Sequence, residues 1–156
     1  MTEKSRSTRY SHTELSDLTT PMDANVNGSV FGGVILAMVD KAAAVCAMRH
    51  SGKPCVTVAM ERVEFLYAIR IGDYIIVQAH INFVGKSSME VGVEVYAENL
   101  SDGTRRHTNS CLVTMVALNS EGAPASVPPL TLETPEEKKR FAEAQERYKI
   151  RRQRSK

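Results

Sequence analysis

Hydrophobic residues along this chain follow two periods in turn. From Gly33 to Arg49 they run almost unbroken, interrupted by Asp40 and Lys41, and Ser51-Gly52 closes the run. At 1.5 Å per residue this predicts a helix of about 25 Å. Apolar on nearly every side, it is expected to be enclosed by protein. After Pro54 the period drops to two. Cys55–Phe65 opens a β-rich stretch with Val56, Val58 and Met60 on one face. In Tyr74–Val84, Ile75, Val77, Ala79, Ile81 and Phe83 alternate with Gln78, His80 and Asn82. In Met89–Glu98, Met89, Val91, Val93, Val95 and Ala97 alternate with Glu90, Glu94 and Glu98, and a last strand covers about Arg106 to Leu118. Gly85–Ser88 and Ser101-Asp102-Gly103 have hairpin length. Four long consecutive strands after one buried helix predict an antiparallel sheet, with one buried and one more polar face, wrapped around that helix. The fold class is α+β, without parallel βαβ repeats.

Two flanking segments complete the pattern. Residues 1–15 are polar and are expected to form a flexible lead-in. At the other end, GAPASVPPL turns the chain off the sheet, and Thr134-Pro135-Glu136-Glu137 opens a second helix. Thr134 is placed to cap it, Pro135 suits the first helical position, and Glu137 completes a capping box. Phe141, Ala144 and Tyr148 form a narrow apolar stripe for docking on the body or on a neighbouring subunit.

Composition narrows the class. A chain of 156 residues with 42% hydrophobic residues is one domain with a core of its own. The longest apolar stretch, Val34 to Met48, is fifteen residues, short of the roughly 20 that a bilayer span needs. MTEKSRSTRYSHTEL lacks the apolar region of a secretory signal, and Cys46, Cys55 and Cys111 are scattered without a CxxC pair. Together these point to reduced thiols in the cytoplasm and away from a disulfide framework or structural zinc. Charge is uneven: net 0 over residues 1–20, −3 over 21–133 and +5 over 134–156. A basic tail attracts phosphates, or else it keeps a solvated helix soluble.

Few residues offer chemistry. Asp40, in VILAMVDKAAAVCAM, is either one exposed edge of the helix or a buried carboxylate that needs a partner. Asn25, in DANVNG, is either a turn residue or an amide able to orient a carbonyl or a water. Gly32-Gly33 lets a ligand approach the free N–H groups at a helix start, which can polarise a carbonyl. His12, His50, His80 and His107 stand at no metal-ligand spacing, so no metal site is expected. GxSxG, P-loop and GxGxxG motifs are absent from the sequence.

Pro21-Met22-Asp23-Ala24-Asn25-Val26-Asn27-Gly28-Ser29-Val30-Phe31-Gly32-Gly33, with Met38-Val39-Asp40, resembles the hotdog-fold acyl-CoA thioesterases of the bacterial YciA and mammalian brain acyl-CoA hydrolase type. Cys55–Met60, Val84–Glu90 and Arg106–Cys111 match the same group in order, so the resemblance covers about residues 16–133. It implies a hotdog domain over 16–133, followed by a basic C-terminal helix over 134–156. It implies hydrolysis of fatty acyl-CoA to free fatty acid and coenzyme A, with no cofactor beyond the CoA of the substrate. Asn25 then orients the thioester or water, Asp40 is the acid/base residue, and the N–H near Gly33 polarises the carbonyl. Gly85, Lys86, Ser87 and Ser88 correspond to a segment along the CoA groove. A homo-oligomer is implied too, a dimer of hotdogs assembled as a hexamer, with Asn25 and Asp40 meeting across the dimer interface.

Other readings compete with hydrolysis. A hotdog hydratase or dehydratase would pair a His with the central helix, and none lies in Phe31–Met48. A non-catalytic CoA or nucleotide sensor would keep binding without turnover. Nucleic-acid binding by Arg151–Lys156 is disfavoured, since Tyr148 is the lone aromatic nearby. Membrane association is not expected either.

Overall fold

The computed structural model describes residues 3–155; Met1 and Thr2 of the expected lead-in and Lys156 of the basic tail lie outside them. In chain order the elements are β1 (Arg6–Ser7), α1 (Thr8–Ser11), β2 (Thr13–Leu18), a 3-10 turn (Pro21–Asp23) and α2 (Gly32–Ser51). Then follow β3 (Cys55–Phe65), β4 (Tyr74–Val84), β5 (Ser88–Glu98), β6 (Arg105–Ala117), β7 (Leu130–Thr131) and α3 (Pro135–Arg154). Five strands form one antiparallel sheet in the order β2-β4-β5-β6-β3, and β1 pairs with β7 in parallel.

One face of this sheet wraps α2. Val77, Val91, Val93, Val95, Val113 and Met115 meet Ile35, Val39, Ala43, Cys46 and Ala47 in a single apolar core. The enclosure of α2 is partial, because Gly33, Ala37, Lys41 and Met48 on its remaining side are exposed in the single chain. Gly52 caps the helix in a left-handed conformation. The other, more polar face is covered by α3. Thr134 and Glu137 form the expected capping box, and Phe141 and Tyr148 pack on Phe83 with ring centroids 5.0 and 5.1 Å apart. The apolar stripe of α3 therefore docks on its own body.

The lead-in departs from expectation. Within residues 3–15 it contains β1, α1 and the start of β2, with Thr8, Ser11 and Thr13 buried. Its Arg6 is spent at the C-terminal end of α2, where the last carbonyls lack helical partners. Arg6 donates to the carbonyls of Arg49 and His50 at 3.0 and 2.6 Å, and Arg49 in turn donates to His12 O and Thr13 Oγ1. β2 is likewise a fifth strand that periodicity does not reveal. It is an edge strand whose one buried residue is Thr13, so it lacks an alternating apolar face.

Candidate active site

The loop before α2 is built around Asn25. Its Oδ1 accepts the backbone N–H groups of Asn27 and Ser29 at 2.9 and 3.2 Å, and its Nδ2 donates to Ser29 Oγ at 3.0 Å. Pairing of Ser29 with Arg70 and a bond from Val30 N to Ile69 O tie this loop to the β3–β4 connection. The amide is thus fixed in orientation, its acceptor is used, and one N–H remains to give. Immediately beyond, Gly32 and Gly33 begin α2, and among the described residues their N–H groups have no partner. The ring of Phe31 lies over Gly33, 2.5 Å from where a Cβ would stand, so a side chain there would have to displace it.

Asp40 lies eight residues further along α2 and is half-buried. Thr57 on β3 donates its hydroxyl to Asp40 Oδ1 at 2.6 Å. That bond holds one carboxylate oxygen, and among the described residues Oδ2 has no hydrogen-bond partner. Neither end of the sequence alternative describes Asp40 fully: it is neither an exposed edge nor deeply buried, but a partnered group beside an open sheet edge. Thr57 is a functional candidate that the sequence did not single out, since a threonine in a strand is ordinary. Asp40 stands about 12 Å along the axis of α2 from its first residue, Gly32, and among the described residues no hydrogen bond joins it to Asn25.

The Gly85–Ser88 segment is the β4–β5 turn, closed by Gly85 N to Ser88 O at 2.8 Å. Ala117 N and Val127 N bond to Ser87 O and Lys86 O at 2.9 and 3.0 Å and pin it, while the Lys86 side chain is exposed. Strand register places this turn at the same end of the sheet as Asp40's partner: Thr57 pairs with Met115 and Met115 with Met89, one step from the Ser88–Val116 pair.

Other nucleophiles are poor. Burial pushes the Cys46 thiol up to about 12 and the Cys111 thiol up to about 11, so neither is a thiolate at neutral pH. Among the described residues no group of His, Cys, Asp or Glu is disposed to hold a metal, and no helix is long and apolar enough to cross a membrane.

A family profile described as the thioesterase superfamily matches residues 27–104, half of the chain and the span that includes Gly33, Asp40 and the Gly85–Ser88 turn. The chain belongs to the thioesterase superfamily. Its architecture, a sheet wrapped on one long helix, is the hotdog fold. This thioesterase is 35% identical to an apo-hexameric acyl-CoA thioesterase, with a TM-score of 0.92 and 98% of each chain covered. It is 32% identical to an acyl-CoA hydrolase from Staphylococcus aureus solved with butyryl coenzyme A and coenzyme A, with a TM-score of 0.88 over 96% of this chain and 92% of that one. The cytosolic acyl coenzyme A thioester hydrolase of Rattus norvegicus is 37% identical over 89% of this chain, which spans 37% of that longer protein.

Proposed function

We propose that this thioesterase hydrolyses fatty acyl-CoA to free fatty acid and coenzyme A, without a cofactor beyond the CoA of its own substrate. The observation that carries this reading is the carboxylate of Asp40, held by Thr57 at 2.6 Å, with no hydrogen-bond partner on its second oxygen among the described residues. A thioester is electrophilic enough for a water activated by a positioned carboxylate, with no serine or cysteine nucleophile. Asp40 takes a proton from water as the oxygen attacks the carbonyl carbon. The oxyanion that forms is met by the N–H near Gly33 and by the remaining N–H of Asn25. When the C–S bond breaks, Asp40 returns the proton to the departing CoA sulfur. Asn25 acts here as a donor, because its own loop already occupies its acceptor. The relatives named for acyl-CoA hydrolysis support the substrate class.

Asn25 and Asp40 complete one site when they come from different subunits. Several exposed apolar residues support that assembly: Met22 is 92% exposed, Val26 101%, Phe31 56% and Phe65 52%. Most lie on the loop that carries Asn25 or on the edge strand β3, and such a patch marks an interface. We take the oligomer to be a dimer of hotdogs repeated as a hexamer, the state named for the solved relative of 35% identity. Gly85, Lys86, Ser87 and Ser88 line the approach of CoA. Three unpaired cysteines support a reducing compartment, the cytoplasm.

Thiol release from short to long acyl-CoAs tests the reading. Asp40→Ala and Asn25→Ala are each expected to lower kcat by about 10²–10⁴-fold with CoA binding retained. Binding of CoA by the wild type with no turnover of any acyl-CoA would replace the enzyme with a sensor.

A further inference from the structure

The basic end of α3 is unexplained by the chemistry at Asp40, and α3 lies outside the span that the family profile matches. Its arginines are not equivalent. Arg147 is spent on Glu90, donating through Nε at 3.0 Å and through a terminal nitrogen at 2.6 Å. Arg151 is spent on Glu61 at 3.2 Å and Glu90 at 3.8 Å. Arg152 has no carboxylate within 4.0 Å among the described residues. It donates instead to Tyr148 Oη at 3.2 Å, with its guanidinium 5.7 Å from the centre of that ring. Arg152 is therefore an exposed cation held in place by Tyr148, without a carboxylate partner among the described residues.

It stands over a groove of about 410 Å³ whose walls include Val58, Val116, Ser88, Tyr148 and Ser155. Apolar walls, hydroxyls and one unpaired guanidinium suit a ligand with phosphates on an organic body. Position adds to the argument. Met115 faces α2 in the core, while its neighbours Thr114 and Val116 line the groove, so the groove is on the opposite face of the sheet from Asp40. The lip between the two faces is the Gly85–Ser88 turn: Ser88 lines the groove, and the Tyr148 ring would lie 3.2 Å from a Cβ at Gly85. Thr57, Asp40's partner, lies two strands across the sheet from that lip and one register step along it. A long flexible thioester lying over the turn would reach Asp40 with its sulfur end and Arg152 with its anionic end.

We propose that α3 provides the seat for the phosphate-bearing nucleotide end of the CoA thioester, with Arg152 as its charged contact. This rests on the acyl-CoA reading above. Arg152 binds substrate and does not take part in bond cleavage, so its effect falls on KM.

The test compares an acyl-CoA with the matching acyl-pantetheine, which carries the same thioester but no phosphates or adenosine. Arg152→Ala is expected to raise KM for acyl-CoA about tenfold, the value of one charge-assisted contact, with kcat and the melting temperature kept. KM for acyl-pantetheine is expected to stay where it is, and Arg152→Lys to recover part of the loss. Lys139→Ala, the same charge change near the start of α3, is expected to alter neither KM. A KM for acyl-CoA that does not move in Arg152→Ala, or moves equally for both substrates, overturns the seat while leaving the thioesterase intact. Turnover of neither substrate by the wild type overturns the acyl-CoA reading itself.

Discussion

The two faces of the sheet are made by alternate residues of the same strands, yet they are held by opposite means. Toward α2, Val77, Val91, Val93, Val95 and Val113 are all 0% exposed, and each contact is apolar and without preferred direction. Toward α3 the interleaved positions are His80, Asn82, Glu90 and Glu94, and Glu90 is buried to 1% exposure. Burial alone would push the Glu90 carboxyl up, but hydrogen bonds from Arg147 and Asn82 outweigh it and hold the carboxyl below its ordinary value. The α2 face depends on volume, whereas the α3 face depends on pairing. Substitutions that leave volume but break pairs should therefore separate them.

The largest effect on the α3 face is expected at Glu90. Glu90→Ala strands Arg147 in a partly buried site and is expected to cost about 3–5 kcal/mol, as broken buried pairs do. Ile81→Ala on the α2 face is expected to cost a similar amount, about 2–5 kcal/mol, through its cavity. Repair tells the faces apart. Adding Arg147→Leu to Glu90→Met should regain most of the loss, since an apolar pair of similar volume replaces an ion pair at little cost. Urea midpoints at neutral pH measure all of these. A loss below about 1 kcal/mol for Glu90→Ala, the level of a surface ion pair, would show that the pair does not hold α3.

Acid should also act on the α3 face. Burial, followed by the charges of Arg140 and His12, pushes the His80 imidazole down to about 4 from an ordinary 6.5. Between those values the unfolded chain binds a proton that the folded chain refuses, so stability falls as pH drops from 6.5 toward 4. The loss from one such group is on the order of a few kcal/mol at most. Glu90 acts in the same direction at the lower end, since its carboxyl is held below its ordinary value. Thermal unfolding across this range is expected to show a shallower slope in His80→Gln. Some slope should persist, because burial also lowers the His50 imidazole. An unchanged slope would mean that His80 is already protonated in the folded chain.

Much of this was legible from period alone. β4 to β6 carry strong alternation, α2 an almost unbroken apolar run, and the capping box at Thr134 announces α3 to the residue. In β3 the register slips between Thr57 and Ala59, so Val56, Val58 and Met60 do not share one face, and Met60 alone of the three packs on the core. β2 and the lead-in carry no repeat because their stability comes from edge pairing and from Arg6 and Arg49 on backbone carbonyls. The polar face of the sheet was visible as Glu90 and His80 in alternation, but nothing in that alternation shows it buried. At the candidate site, Asp40 stood out as a charge in an apolar helix. Thr57 did not, because a strand threonine gains a role only from what lies across from it. The proposed meeting of Asn25 and Asp40 would have no signature within one chain, since it would require two.

Gly92 offers the finest probe of the contrast. It pairs with His80 across β4 and β5, at a place where a strand pattern alone would favour a side chain. A Cβ there would stand 2.8 Å from His80 Nε2 and 2.9 and 3.0 Å from the Asn82 amide atoms. Asn82 cannot readily retreat, being held by its bond to Glu90 at 3.0 Å, whereas the half-buried His80 borders a small cavity. Gly92→Ala is expected to cost about 1–3 kcal/mol by overpacking, even though alanine suits a strand better than glycine does. The same substitution made together with His80→Ala should cost less, because the nearest obstructing atom is gone. If chemical denaturation instead finds Gly92→Ala neutral in the wild-type background, the polar layer yields to a methyl group. The α3 face would then be looser than its ion pairs imply, and Glu90 would hold α3 against a layer that can still shift.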